Sequence, residues 1–159
     1  MTHGENPMVE VREGRLGRCV VVSRSADRGD MLVRGWGTPS TERTMHSIQV
    51  DHEAHVEVGS PIRYFNHSCE PNCGLLIRSG REELEVHALR HLAAGDELTL
   101  DYSTFEFEIQ FMPHPCLCGA ASCRGQITGF KELPLDLVEY YGDYIAEYLQ
   151  QMALVERSA

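Results

Sequence analysis

The sequence predicts a mainly β fold, and three observations carry that prediction. Apolar runs are short and rich in Val, Ile and Leu, and clusters of Gly, Pro, Asp and Ser interrupt them at close intervals. A helical spacing of apolar residues appears only near the C-terminus. At 159 residues the chain suits one domain with a single modest core, and no internal repeat is visible.

Taken in order, residues 9–22 (VEVREGRLGRCVVV) give two strands around a glycine-bearing turn at Gly14 to Gly17. DRGDMLV reads as a turn and a strand, GWGTPSTERT as a loop, and HSIQVDHEAHVEV as an alternating hairpin. After YFNHSCEPNC come the run GLLIRS, a turn at Ser79 and Gly80, and the strand ELEVHAL. HLAAGDELTLDYS is a loop leading into a strand. Past Pro134, the residues Leu137, Tyr141, Tyr144, Tyr148 and Met152 recur three or four apart and form one apolar face of a C-terminal helix, with Asp136 as candidate N-cap. Its tyrosines read as core or docking residues, and the final VERSA is expected to fray.

Composition narrows the function classes. Hydrophobic residues are 42% and charged residues 24%, as in ordinary globular proteins. The formal net charge of -10 argues against direct nucleic-acid binding, which needs clustered Lys and Arg. The same charge suits attraction of basic peptides or small cations, or serves solubility alone. No basic-then-apolar start marks a signal peptide, and no apolar run is long enough for a membrane partner. The chain is therefore expected to be intracellular, cytoplasmic or nuclear. Its six cysteines then read as metal ligands, nucleophiles or buried thiols rather than disulfides.

Three of them crowd into residues 113–125, PHPCLCGAASCRG, bracketed by Pro113, Pro115 and Gly119. A disulfide between Cys116 and Cys118 would close a very small, strained ring. Thiolates on tight turns can instead share a zinc ion, which takes four sulfur or imidazole ligands. Cys116, Cys118 and Cys123 supply three; Cys69, Cys73, Cys19 and His114 are candidates for the fourth. Idle or buried thiols are the alternative, but so proline- and glycine-rich a turn can bury little.

Two further motifs, RYFNHSCEPNC and GDELTLDY, complete a pattern. Arg63 to Cys73 resembles the signature segment of SET-domain lysine methyltransferases. ELTLDY resembles their second signature, CLCGAASCRG their post-SET zinc tail, and EGRLGRCVVV their glycine-bearing first strand pair. The four pieces stand in the family's order, from about Arg12 to Phe130.

The resemblance implies a SET-domain fold: several short sheets, a pseudoknot-like crossing of the NHSC and ELTLDY segments, a zinc-bound post-SET segment and a C-terminal helix. It divides the chain into an N-terminal tail (1–8), the SET domain (9–112), the post-SET zinc segment (113–130), and the helix with its tail (131–159). S-adenosylmethionine would be the cofactor, seated by Asn66 and His67 and lined by Arg15, Leu16 and Gly17. Tyr102 would touch the cofactor and be the central catalytic residue. Cys69 becomes the fourth ligand of a structural Zn2+. Leu100, Tyr102 and Phe105 would line the substrate channel. The family often has Phe or Tyr where Leu100 stands, and the smaller side chain would leave space for further methylation. Some relatives carry an aromatic over the cofactor at the position of Thr128; Phe130, or Tyr140 of the helix, would substitute.

The implied activity is methylation of lysine in a basic protein or peptide, histone-like proteins included. A small-molecule amine such as free lysine is the alternative acceptor, and a non-catalytic binding module the third reading. Other residues read plainly. His46, His52, His55, His87 and His91 are scattered without ligand spacing, Trp36 caps an edge, and Cys19 is a buried thiol. STFEFEIQF forms either a wall for a basic substrate or a strand with Phe105, Phe107 and Ile109 facing the core.

Overall fold

The two N-terminal runs fold back on each other in the computed structural model, which describes residues 8–78, 82–112 and 114–158. β1 (Val9–Gly14) and β2 (Gly17–Val22) pair antiparallel from Val9↔Val22 to Gly14↔Gly17. The reversal needs positive φ, and Gly17 supplies it at 102°. β2 then runs inward, exposed at Gly17 and Arg18 and buried from Cys19 to Val22.

β3 (Met31–Trp36) follows as predicted. Residues 35–44 are not all loop, however. Thr38–Ser40 forms a short strand, β4, paired antiparallel with β6 (Ala54–Glu57). β6 also forms the predicted hairpin with β5 (Ser47–Asp51), so β4 takes the free edge of a three-stranded sheet. An edge tolerates Pro39, whose missing N–H conceals the strand from a sequence reading.

The remaining strands are β7 (Asn66–His67), β8 (Cys73–Ile77), β9 (Glu83–Ala88) and β10 (Thr99–Leu100). β9 is the centre of a second three-stranded sheet, between β3 and β8. The turn expected at Ser79 and Gly80 lies outside the described residues, as do Pro113 and residues 1–7 of the N-terminal tail. Side chains from these sheets, among them Val20, Val22, Leu84 and Val86, meet Leu92, Leu98 and Leu149 in the core with no exposure. Burying each such side chain stabilises the fold by roughly 1.5–3 kcal/mol.

Two expectations need correction. Residues 103–111 do not form a strand: a 3-10 turn at Tyr102–Thr104 leads into irregular chain, and Glu106 is buried beside Phe105 where strict alternation would expose it. The C-terminal helix is two helices, α1 (Leu135–Tyr141) and α2 (Glu147–Ser158), separated by a 3-10 turn at Gly142–Tyr144. Gly142, at φ 53°, makes the break. Pro134 occupies the N-cap and no side chain caps the helix, so Asp136 sits inside the first turn. The backbone of α2 stays helical to Ser158, past the point where fraying is expected. Tyr141 and Tyr148 reach the core, whereas Tyr144 packs against β8 at Gly74.

Candidate active site

β7 and β10 run side by side, parallel, with Asn66 opposite Thr99 and His67 opposite Leu100. Side-chain bonds lock the pair. Asn72 donates through Nδ2 to the Glu97 carbonyl at 2.8 Å and accepts at Oδ1 from the Thr99 N–H at 2.9 Å. The Ser68 N–H donates to the Leu100 carbonyl at 2.9 Å. Two segments some thirty residues apart in sequence thus place Asn66, His67, Leu100 and Tyr102 in one neighbourhood.

The Tyr102 phenol donates to the Phe65 carbonyl at 2.6 Å, and its backbone N–H donates to His67 Nδ1 at 3.2 Å. Burial pushes the phenol well above the usual tyrosine range, so it remains protonated. Burial lowers the His67 pKa to about 4; Asp101 opposes this and Arg124 reinforces it. The ring is therefore neutral near pH 7, and its 3.8 Å approach to Asp101 is not an ion pair. With Nδ1 accepting, the ring proton sits on Nε2, 3.5 Å from Cys69 Sγ.

Asp101, fully buried, anchors the other side. Its carboxylate accepts from the Ser103 N–H at 3.1 Å, the Ser103 hydroxyl at 2.6 Å and the Tyr141 hydroxyl at 2.8 Å. Arg124 Nη2 lies 2.9 Å from both carboxylate oxygens. Arg124 belongs to the cysteine-rich tail, and its backbone N–H points at Cys69 Sγ, 3.4 Å away. One residue therefore ties the tail both to the carboxylate preceding Tyr102 and to a cysteine of the β7 segment.

The sulfurs of Cys69, Cys116, Cys118 and Cys123 all lie within 4.8 Å of one another. Four converging thiols in a tail that is mostly exposed or half-buried fit a tetrahedral zinc ion. The other proposed fourth ligands stand elsewhere. Cys19 is buried in β2, and Cys73 is buried in β8 with its pKa pushed up to about 12 by burial. His114 turns Nδ1 toward the Pro115 carbonyl.

Two cavities meet at Tyr102. The wider, of about 220 Å³, is lined by Leu16, Asn66, His67, Met112, Leu117 and Ile127 among others. The narrower, of about 80 Å³, includes Ile48, Phe65, Leu100, Phe105 and Glu106 in its walls. Tyr102 and Met112 border both.

Of the residues singled out in the sequence, Leu16, Asn66, His67 and Tyr102 share the wide cleft, and Leu100, Tyr102 and Phe105 the narrow one. Arg15 stands outside the cleft wall, donating to the Leu117 carbonyl at 2.6 Å, and Gly17 opens β2 beside Leu16. Phe130 is not in the cleft. It is buried in the core and lines a separate depression with Phe107, Leu133 and Val138; Ile127 stands in the cleft instead. Tyr140 is exposed on a groove with Arg90 and Asp136. Sequence reasoning missed Met112 and Ile127, which lie outside the motifs, Leu117, the spacer of the CLC turn, and the Asp101–Arg124–Tyr141 network. The one available signal was the acid preceding Tyr102.

Comparison with known proteins places these elements in context. The family model described as SET domain matches residues 17–103, more than half of the chain. The chain is 46% identical over 70 residues to the Histone-lysine N-methyltransferase, H3 lysine-4 specific, of Saccharomyces cerevisiae, covering 42% of this chain and 6% of that protein. It is 31% identical over 88 residues to Histone-lysine N-methyltransferase SETD1B of Homo sapiens, covering 52% of this chain and 4% of the other. Methyltransferase flvH of Aspergillus flavus is 32% identical over 103 residues, which is 65% of this chain and 56% of that protein. The chain thus spans a small part of the histone-directed relatives and about half of the third.

Proposed function

The chain belongs to the SET-domain family, and on that premise we propose that it transfers methyl groups from S-adenosylmethionine to the side-chain amine of lysine in a basic protein. The observation that carries the proposal is Tyr102 in the wall of two cavities, one shared with Asn66 and His67 and the other, largely apolar, with Leu100 and Phe105.

The wide cleft would hold the cofactor. Its lining combines Leu16, Met112, Leu117 and Ile127 with the polar Asn66 and His67, a donor set suited to a molecule joining aliphatic and polar parts. Arg15 and Gly17 would support it from the β1–β2 turn. When bound, S-adenosylmethionine supplies a methyl group carried on a positively charged sulfur. Cys69, Cys116, Cys118 and Cys123 would hold Zn2+, fixing the tail whose Leu117 and Ile127 form part of the cleft.

The narrow cavity would admit the acceptor. A lysine amine is protonated at neutral pH and cannot act as a nucleophile in that form. Leu100 and Phe105 would strip water from it, which disfavours the charged form. Confinement in a channel ending at Tyr102 aligns the nitrogen for in-line attack, an effect worth several kcal/mol. Tyr102, its proton held by the Phe65 carbonyl, orients the reacting groups and offers its oxygen to the charge that shifts during transfer. The acceptor ammonium gives up its proton to solvent before attack, so Tyr102 need only orient the groups and is not required as the base.

The net charge of -10 suits a basic, histone-like partner, and two of the relatives act on histone lysine by name. Such a partner would put the protein in the nucleus; no described helix is long and apolar enough to cross a membrane. A small amine is the second reading: the match to flvH covers more of both chains, and that protein's name states no acceptor. Labelled S-adenosylmethionine and a cell extract separate the two readings. Label in acid-precipitated protein, diminished by added salt, supports the protein acceptor. Label confined to the soluble fraction moves the enzyme to small-molecule chemistry.

A further inference from the structure

Glu106 is a buried acid that the reaction as described leaves unused. It lies four residues beyond Tyr102, and its backbone N–H donates to the Tyr102 carbonyl at 2.9 Å. Its Oε1 accepts from the Gln49 N–H at 3.0 Å, so the side chain crosses from the Tyr102 segment to β5. Glu106 is 8% exposed and borders the narrow cavity together with Leu100, Tyr102 and Phe105.

Among the described residues no Lys, Arg or His nitrogen lies within 4.0 Å of the Glu106 carboxyl. Arg43, on the same cavity, directs its guanidinium to Gln49 Oε1 and the Glu108 carbonyl, each at 3.3 Å. A carboxyl placed in an apolar wall without a cation costs stability, and burial raises its pKa to about 7 against the pull of the Gln49 N–H and Arg43. The remaining titratable neighbours are His46, Arg63 and Glu108 on the cavity, with Tyr102 and Tyr148 packed nearby. Fold stability would favour an apolar side chain here. Arg43 and Arg63 stand on the cavity without pairing with this carboxyl, and an alkylammonium entering it could do so.

We infer that Glu106 is the acceptor-binding carboxylate: it pairs with the incoming alkylammonium on the smaller cavity, and the amine gives up its proton to solvent before it attacks beside Tyr102. The inference rests on reading that cavity as the acceptor channel. It makes acceptor choice depend on charge as well as width, and it names the residue that reads the charge. The rim fits an aliphatic carrier, because Met45 and Phe111 border the same cavity and are exposed.

The test is equilibrium binding of butylammonium chloride and of 1-butanol, equal in chain length and different in charge, to the full zinc-loaded chain at about pH 8. The wild type should prefer butylammonium by about tenfold or more, and Glu106→Gln should bring the two affinities to within about twofold. The amide oxygen of that variant can still accept from Gln49. Equal affinities in the wild type, or an undiminished preference in Glu106→Gln, overturn the inference. If Glu106→Gln does not fold, the preference is measured in His46→Gln, which takes the histidine off the cavity wall, at about pH 5.5 and pH 8. Loss of preference at the lower pH supports Glu106, and constancy overturns it. Methyl transfer without an ammonium preference would sink the role of Glu106 and leave the proposed function standing. A preference without methyl transfer would do the reverse.

Discussion

Replacing Arg124 with leucine removes the cation from a carboxylate that has no contact with water. The Asp101 side chain is 0% exposed and that of Arg124 is 16% exposed. Breaking a buried pair from one side costs roughly 3–5 kcal/mol, because the survivor is left uncompensated. Two features put Arg124→Leu at the lower end. Asp101 keeps its hydrogen bonds from Ser103 and Tyr141. The substitution also removes Arg124 Nε and Nη1, which are buried and find no acceptor among the described residues. The expected loss is therefore about 3 kcal/mol, read from urea unfolding at fixed zinc. In an Asp101→Asn background no charge remains to be stranded, so the same change should cost about 1 kcal/mol or less, leaving a coupling of about 2 kcal/mol. A single-variant loss below about 1 kcal/mol, or equal losses in both backgrounds, refutes the reasoning.

The remaining predictions concern pH, metal and packing. Glu106 has a folded pKa of about 7 against an ordinary value of 4.5, so between those values the native state binds more protons than the unfolded state. The penalty of the buried carboxylate is thus absent below the lower value and complete above the higher one. Glu106→Gln should gain about 3 kcal/mol relative to wild type on going from acid to mildly alkaline pH; parallel stability curves would contradict this. A strong chelator should release one zinc per chain and lower the Tm by about 10 °C or more, with protease cutting first in the cysteine tail. An unchanged Tm after complete removal would argue against a structural ion. Gly129→Ala would set its Cβ 2.1 Å from the Phe107 carbonyl oxygen, so it should cost about 2 kcal/mol or more in unfolding experiments, and a neutral result would mean that backbone moves freely.

Much of the fold is legible in the sequence where local chemistry and tertiary packing agree. The glycine turn between β1 and β2 and the alternation of β5 and β6 need no outside information. The meeting of Asn66, His67, Leu100 and Tyr102 rests on matching two separated motifs, since spacing alone does not bring residues 66 and 100 together. Where local signals mislead, the reason is physical. Pro39 hides an edge strand. Tyrosines spaced three and four apart conceal a break at Gly142, because a 3-10 turn preserves the rough period while redirecting Tyr144 to Gly74. The alternation of Phe and Glu from 105 to 108 mimics a strand, yet Glu106 is buried. The ion pair of Arg124 with Asp101 joins residues in different elements and leaves no local trace. Phe130 is drawn into the core by its size and by the bond from its N–H to the Glu106 carbonyl at 2.8 Å, leaving Ile127 to the cleft.

Tyr102 stands where the two cavities meet, so it bears the central claim. The decisive measurement is single-turnover transfer of labelled methyl from S-adenosylmethionine to an acceptor polypeptide rich in lysine, in wild type and Tyr102→Phe, with cofactor affinity measured in parallel. The account predicts that Tyr102→Phe binds the cofactor within about threefold of wild type while transfer slows by about a hundredfold or more. Equal transfer rates in the two proteins would contradict it.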